Sequence, residues 1–315
     1  MMSKSKLLVR AFLLVTGLVG HFAYADEDIL PAKLTPEQIA LGPTLSHISE
    51  TGQIFMAHRE SSVPFSYVLA DRVTPVGFSW DICLRVAKAI EEKLGKPLEI
   101  VPVVASAYAR MMQVKVGMAD IECGSTTNTI GRQRQVAFSN TFFASEIRIL
   151  VRADSGIKNI DDLNGKRIVT TAATNAERMV RQFTIQRGMA VKQLSERTNF
   201  SSFARLERGE ADAFVNDDAI LLGQRSGSKT PEKFVLLESS GLSVEPYGLV
   251  LRNEDPVFKA TVDQALVKMM QSGEMEQIYS KWFTQPIPPN NRTLGLPLSD
   301  LNKAVFANPN DRPAN

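Results

Sequence analysis

Residues Glu122–Arg132 read ECGSTTNTIGR, and they follow a short apolar run at 117–121. The run predicts a strand that ends in a Gly turn, and the polar segment after the hydroxyl residues Ser125–Thr127 can start a helix. Free backbone N–H groups and the helix dipole make such a turn attractive to anions. Arg132 lies close enough to offer a planar guanidinium to a carboxylate. The stretch therefore indicates a carboxylate-binding turn, and the alternative is a capped helix with a solvent-facing arginine.

A second strand–turn–helix unit follows later in the chain. Its strand is Arg167–Val169, its turn is the small polar stretch Thr170–Asn175, and its helix covers Ala176–Gln186. Strands and helices alternate in this way through two modules. That pattern is typical of α/β proteins, so we expect two mostly parallel sheets flanked by helices.

Two predicted strands, at about 145–152 and 242–251, bracket the second module. The chain would cross between the modules twice, which makes these segments candidate hinge strands. We therefore expect a discontinuous first lobe (26–145 with 245–315) and an inserted second lobe (146–244). A ligand would lie in the cleft between them.

Residues 1–25 have the three parts of a signal peptide. Basic residues come first, the apolar run AFLLVTGLVG at 11–20 is too short to span a bilayer comfortably, and Ala23-Tyr24-Ala25 matches an A-x-A cleavage site. The mature chain would start at Asp26 and be a soluble protein of the periplasm. An uncleaved membrane anchor is the alternative.

The 315-residue chain has a formal charge of +2, and removing the three basic residues of the signal peptide leaves −1. A near-neutral chain without a basic run is not expected to bind nucleic acid. Only His47 and His58 lie beyond the signal peptide, and no phosphate- or dinucleotide-binding glycine motif is present. We therefore expect neither a metal nor a cofactor. Cys83 and Cys123 could form a disulfide or remain two buried thiols.

Two further arginines occupy positions of interest. The predicted strand Ile54–Ala57 runs into Arg59, at the strand end where α/β sheets bind ligands; the alternative is a surface salt bridge with Glu60. Arg110 lies on a predicted helix over 106–117. Three prolines between residues 26 and 45 predict an extended arm, and 244–251 is predicted to be one strand.

Five blocks of the sequence carry a family resemblance. They are HRESSVPFSY at 58–67, ECGSTTN at 122–128, Arg132-Gln133, Asp217-Asp218-Ala219, and Trp282-Phe283 with the PIPP run at 286–289. These blocks resemble bacterial periplasmic amino-acid-binding proteins of ABC importers, especially the glutamate/aspartate-binding members. The resemblance covers essentially the whole mature chain, and it implies the two-lobed periplasmic-binding-protein fold of type II.

The resemblance also implies roles for individual residues. Arg132, with Ser125 and Thr127, would hold the α-carboxylate of an amino acid. Asp217 would take the α-ammonium from the other lobe, and Thr174 would support the carboxylate.

Arg59 and Arg110 would face the side chain of the ligand. One α-carboxylate needs one arginine and one ammonium needs one carboxylate, so two additional buried arginines require a second anion. That count points to an acidic amino acid. Two nearby positions depart from the glutamate/aspartate pattern: Ala107 replaces a serine, and Asn199 replaces a histidine but can still donate a hydrogen bond.

The resemblance implies a transport receptor, expected to be a monomer, that closes on its ligand and docks on an inner-membrane permease. Three alternatives remain: an enzyme on the same scaffold, such as a dehydratase with Glu122 as acid and base; a binding protein for another polar amino acid; and a sensor. No nucleophile motif is present, so we expect a binding protein and not an enzyme.

Overall fold

The computed structural model describes residues 35–238 and 242–314, without the side chains of Glu37 and Ile39. The predicted signal peptide lies outside these residues. None of the described helices combines the length and the apolarity needed to cross a membrane. The α-helices are α1 Pro36–Thr51, α2 Phe78–Leu94, α3 Arg110–Lys115, α4 Ile130–Gln133, α5 Asn175–Gln186, α6 Asn199–Glu207, α7 Asp218–Gly227, α8 Pro256–Ser272, α9 Glu274–Phe283 and α10 Asp300–Ala307.

The strands form two larger sheets and one small one. They are β1 Gln53–His58, β2 Ser61–Ser62, β3 Ser66–Val68, β4 Pro75–Val76, β5 Glu99–Val104, β6 Ile121–Glu122, β7 Ala137–Phe138, β8 Phe143–Arg152, β9 Arg167–Thr171, β10 Lys192–Glu196, β11 Ala213–Asp217, β12 Phe234–Leu236, β13 Val244–Tyr247 and β14 Val250–Leu251. The small sheet is the antiparallel set β2-β3-β4.

The first sheet has the order β5-β1-β6-β14-β7. Strands β5, β1 and β6 are parallel, whereas β14 runs antiparallel to both β6 and β7. Ile54 and Met56 of β1 belong to the same buried core as Ile82 and Val86 of α2. The helix buries these residues because apolar side chains recur along one of its faces.

The second sheet has the order β10-β9-β11-β8-β12, and β13 also pairs with β8. Alternate residues of β8 face opposite sides, as in any strand. Ile149 packs in the core that contains Val180 of α5, and Leu150 packs in the core that contains Leu206 of α6. Helices therefore cover both faces of this sheet.

The expectation of mostly parallel sheets holds only for part of each sheet. Strands β10, β9 and β11 are parallel, but β8 pairs antiparallel with β11, β12 and β13. Strands β8, β13 and β14 belong to the two segments predicted to cross between the modules. Strands β8 and β13 pair antiparallel because the chain enters and leaves the second sheet in opposite directions.

The predicted strand over 244–251 is wrong as a single strand. It divides into β13, which pairs with β8, and β14, which belongs to the first sheet. The division falls at Gly248, where an added Cβ would lie 3.0 Å from the carbonyl oxygen of Ser139. The close approach of this backbone lets the chain pass from one sheet to the other.

The arm expected over 26–45 is wrong from Pro36 onward, because α1 begins there. Leu45 and Ile48 are fully buried, and Asp255 accepts a hydrogen bond from the backbone N of Thr44 at 2.9 Å. Tertiary packing therefore stabilises this segment as a helix, which is kinked at the non-helical Gly42 immediately before Pro43. The helix expected over 106–117 is shorter than predicted, since only α3 is helical.

The two cysteines form a disulfide. Cys83 lies on α2 and Cys123 follows β6, and their Cα atoms are 6.1 Å apart. This is within the usual range for a disulfide. The bond ties α2 to the strand that leads into the Glu122–Arg132 stretch, and it fits an oxidising compartment outside the cytoplasm.

Candidate functional site

A cavity lies among residues from both larger sheets. Its lining contains every predicted site residue except Arg132. The lining residues are Arg59, Ser62, Arg110, Ser125, Thr127, Thr174, Asn175, Asn199, Asn216, Asp217 and Ile220. Ser62, Asn175, Asn216 and Ile220 were not predicted, although Asn216 directly precedes Asp217 at the end of β11 and Ser62 lies within the 58–67 block.

Arg132 lies beside this lining and joins two of its walls. Its Nη1 donates to the carbonyl oxygen of Thr127 at 2.9 Å, and its Nη2 donates to that of Ala173 at 3.3 Å. Thr127 precedes α4 and Ala173 precedes α5. The guanidinium therefore connects the two strand–turn–helix units that the sequence identified.

The turn before α4 differs from the free helix N-terminus predicted for it. The helix has only four residues, and its N-cap is Thr129, which accepts from the backbone N of Arg132. The backbone N of Asn128 donates to Pro246 at 2.7 Å. Part of the expected anion-binding backbone is thus already bonded to β13, and the arginine side chain is the main cationic group here.

Arg59 and Arg110 are buried with an incomplete set of partners. They are 4% and 2% exposed, and the Nε of each lacks a hydrogen-bond partner in the described part of the chain. Arg110 Nη1 makes only a long contact, 3.4 Å, to the carbonyl oxygen of Ser125. A buried guanidinium without partners is costly, so both positions favour an anion in the cavity.

Glu122 is a fully buried carboxylate whose charge acts on Arg59, and its Oε1 has no hydrogen-bond partner in the described part of the chain. Its Oε2 accepts from the hydroxyl of Thr126 at 2.6 Å. A Cβ on Gly124 would lie 2.0 Å from Glu122 Oε1 and 2.9 Å from the Arg59 side chain. Glycine is therefore required between these two charged groups.

Burial and neighbouring positive charge lower the pKa values of two arginines of the site. Burial, and then the charge of Arg110, lower the pKa of Arg59 to about 9. Burial and Arg110 also lower the pKa of Arg132 to about 10. Both shifts mean that burial and the neighbouring positive charge disfavour the charged guanidinium, and a nearby anion would raise both pKa values.

Asp217 is the acidic residue of the lining, and it ends β11. Its carboxylate accepts from the hydroxyl of Tyr247, a residue of β13. Burial, followed by the charge of Glu245, raises the pKa of Asp217 to about 8. A bound cation would lower that pKa, so Asp217 is suited to hold an ammonium group.

Thr174 caps α5, which is a full helix of 12 residues. Its hydroxyl accepts from the backbone N of Glu177 at 3.2 Å and donates to the carbonyl oxygen of Thr171 at 2.6 Å. The next residue, Asn175, donates to both carboxylate oxygens of Glu245, at 2.8 and 2.7 Å. This helix start is therefore held by its own cap and by β13.

Asn199 lies in the lining, but protein groups already satisfy its side chain. Nδ2 donates to the carbonyl oxygen of Ser61 at 3.2 Å, and Oδ1 accepts from Thr171 at 2.8 Å and from Asn216 at 3.0 Å. Asn199 thus bridges the small sheet and the second large sheet. Ala107 is also buried, at 2% exposure.

The comparisons with known proteins agree with this architecture. Residues 54–285 match the family model of the bacterial extracellular solute-binding proteins, family 3. The chain belongs to this family. An L-glutamate/L-aspartate-binding protein of Pseudomonas aeruginosa is 40% identical over 289 residues, covering 91% of this chain and 95% of that protein. A glutamate/aspartate import solute-binding protein of Salmonella typhimurium is 38% identical over 304 residues, covering 96% and 97%.

Among solved structures, this chain is similar to an ancestral amino acid-binding protein described as a precursor of cyclohexadienyl dehydratase, with a TM-score of 0.65 and 25% identity. The match covers 76% of this chain and 99% of that one. The type II periplasmic-binding-protein fold expected for this family 3 solute-binding protein is confirmed. Its curated relatives are binding proteins, which confirms the expectation that the chain is not an enzyme. The description of the family identifies its members as extracellular proteins of bacteria.

Proposed function

We propose that this solute-binding protein captures acidic L-amino acids, glutamate or aspartate, and delivers them to an inner-membrane permease of an ABC importer. The observation that carries the proposal is the state of two arginines in the cavity lining. Arg59 and Arg110 are 4% and 2% exposed, and the Nε of each lacks a hydrogen-bond partner in the described part of the chain. The side-chain carboxylate of an acidic amino acid can accept from both guanidiniums, whereas a neutral side chain leaves these buried charges without an anion.

In the proposed complex, Arg132 with Ser125 and Thr127 binds the α-carboxylate, and Thr174 at the start of α5 supports it. Asp217 binds the α-ammonium. Arg59 and Arg110 bind the side-chain carboxylate, which supplies the partner that each Nε lacks. Asn199 contributes by shaping this part of the cavity, since its own hydrogen-bonding groups are occupied.

We also propose that residues 26–145 with 245–315 and residues 146–244 act as two lobes that close on the ligand about β8 and the β13–β14 segment. Hinge closure of this kind would present a closed form to the permease. We propose that the protein is a monomer of the periplasm, released by cleavage after Ala25. The names of the two curated relatives support the ligand class and the import role.

The enzyme alternative has little support in the geometry. Its proposed acid and base, Glu122, is held by Thr126 and packed against Gly124 beside Arg59, as a structural carboxylate would be. A binding protein for a different polar amino acid is the stronger competitor, because Ala107 and Asn199 depart from the glutamate/aspartate pattern.

Calorimetry with purified mature protein tests the proposal. Glutamate, aspartate, glutamine and asparagine form the panel, since each acid is paired with its nearly isosteric amide. We expect the acids to bind at least ~100-fold more tightly than the amides, because an amide leaves two buried guanidiniums without a carboxylate. A preference for either amide would contradict the proposal.

A further inference from the structure

The C-terminal residues 308–314 lie along the turn that precedes α4. The backbone N of Ala314 donates to Asn128 O at 2.9 Å, and the backbone N of Ile130 donates back to Ala314 O at 3.2 Å. The side chains of Asn128 and Gln133 both donate to the carbonyl oxygen of Asp311, at 2.8 and 3.2 Å. The tail thus pairs with the turn almost as a short strand would.

The tail and the helix α10 that precedes it are also anchored to the rest of the protein. Asn302 of α10 accepts from the backbone N of Ala144 at 2.7 Å and donates to its carbonyl oxygen at 3.0 Å. Phe306 belongs to the main hydrophobic core. Asp311 forms an ion pair with Lys259 of α8 at 3.1 Å. The position of the tail is therefore defined by the body of the protein and not only by the turn it contacts.

The residues that the tail holds are those that orient Arg132. Asn128 links Thr127, which lines the cavity and accepts from the Arg132 guanidinium, to Thr129, which caps α4. An isolated helix of four residues is far too short to be stable by itself, because helix nucleation is costly. The geometry of α4 must therefore come from its tertiary partners, and the tail supplies several of them.

We propose that residues 308–314 are a positioning segment for Arg132: they hold the Asn128–Gln133 stretch so that the guanidinium is ordered before the ligand arrives. A preorganised binding group avoids the entropy cost of being ordered upon binding. The segment acts through Arg132 and does not touch the ligand. This inference rests on the proposed role of Arg132 in binding the α-carboxylate.

The full-length variant Ala314→Pro tests it, because proline lacks the N–H that bonds Asn128. Ala314→Gly is the matched variant that keeps this N–H. Arg312→Ala is a control at an exposed tail side chain. For each protein, the affinities for glutamate and glutamine, the thermal midpoint without ligand, and the amide hydrogen exchange of residues 128–136 are measured.

We expect Ala314→Pro to weaken glutamate and glutamine equally, by about tenfold, because both ligands share the α-carboxylate and both lose preorganisation. Hydrogen exchange at 128–136 should accelerate while the thermal midpoint stays close to that of the wild type. Ala314→Gly should keep the affinity and the exchange rates of the wild type, and Arg312→Ala should match the wild type in every measurement.

If Ala314→Pro binds as the wild type does, or if exchange at 128–136 is unchanged, the positioning role is refuted. A second variant, Gln133→Ala, removes a different bond to the tail and should show the same pattern if proline at 314 prevents folding. Should the wild type bind no amino acid, the proposed function fails by itself, and the exchange measurement still decides whether the tail orders the Arg132 stretch.

Discussion

The two proposed ends of the cavity are constructed on different principles. At the amino-acid end (Ser125, Thr127, Arg132, Thr174 and Asp217), the charged groups have protein partners: Arg132 donates to two carbonyl oxygens, and Asp217 accepts from Tyr247. At the side-chain end (Arg59, Arg110 and Asn199), both arginines are buried with an unpartnered Nε. Protein partners therefore orient the charged groups of the first end, whereas the second end retains unsatisfied donors.

This difference divides the site into residues expected to bind any amino acid and residues expected to select among amino acids. In the proposed complex, the amino-acid end binds groups common to all amino acids, so its loss should affect every ligand. The side-chain end is proposed to pair with a group that only some ligands carry, so its loss should affect discrimination. Three sets of experiments can test this division, and they are given in order of decreasing expected effect.

Replacing the anchor of the amino-acid end should abolish binding. We expect Arg132→Ala to weaken every amino acid by at least ~100-fold, because removing one partner of a buried charge pair costs about 3–5 kcal/mol. Calorimetry with glutamate and glutamine measures the loss. Arg134→Ala, at a nearby exposed position, is the control and should bind normally. Retained affinity in Arg132→Ala would remove this residue as the carboxylate anchor.

Replacing a guanidinium at the side-chain end should change selectivity. We expect Arg59→Gln or Arg110→Gln to weaken glutamate by ~10-fold or more and glutamine by only a few fold, since the lost charge-assisted bonds contribute about 1.5–3 kcal/mol. The ligand-free variants should unfold at the same temperature as the wild type or higher, because a poorly partnered buried charge has been removed. Equal losses for both ligands would assign these arginines a structural role instead.

The pH dependence should identify Asp217 as the ammonium partner. Burial and the charge of Glu245 raise its pKa to about 8, so below that pH it carries a proton that the ligand ammonium must displace. Affinity should therefore fall as the pH decreases from 9 to 6, by up to tenfold per pH unit, with release of a proton on binding. Calorimetry in buffers of different ionisation enthalpy counts that proton.

The raised pKa of Asp217 affects the stability of the ligand-free protein in the opposite direction from the affinity: stability falls as the pH rises. A carboxyl group whose pKa is raised on folding stabilises the folded state at low pH, and this contribution is lost as the pH rises from about 4 towards 8. Asp217→Asn should remove both the proton release and this part of the pH dependence. An unchanged proton count in that variant would show that another group titrates.

Much of the site could be predicted because each residue lies at a recognisable local feature. Arg59 directly follows β1, Asp217 ends β11 and Thr174 caps α5, and the ends of neighbouring strands meet at one edge of a sheet. The partners that these residues use could not be predicted. Tyr247 and Glu245 come from a segment that was predicted to be one uninterrupted strand, and the contacts of Asn199 join residues far apart in the chain.

The sequence by itself determined the α/β class, the two strand–turn–helix units and Arg59, Arg110 and Arg132 as candidate binding residues, because periodicity, capping and charge are local properties of the chain. The family resemblance supplied the other predicted site residues and the role of each. Only the tertiary structure decided the Cys83–Cys123 disulfide, the division of 244–251 at Gly248 and the helical start at Pro36. It also decided that Asp311 and Ala314 form hydrogen bonds with Asn128, Ile130 and Gln133. Each of these depends on a distance between residues remote in sequence, and no local pattern specifies such a distance.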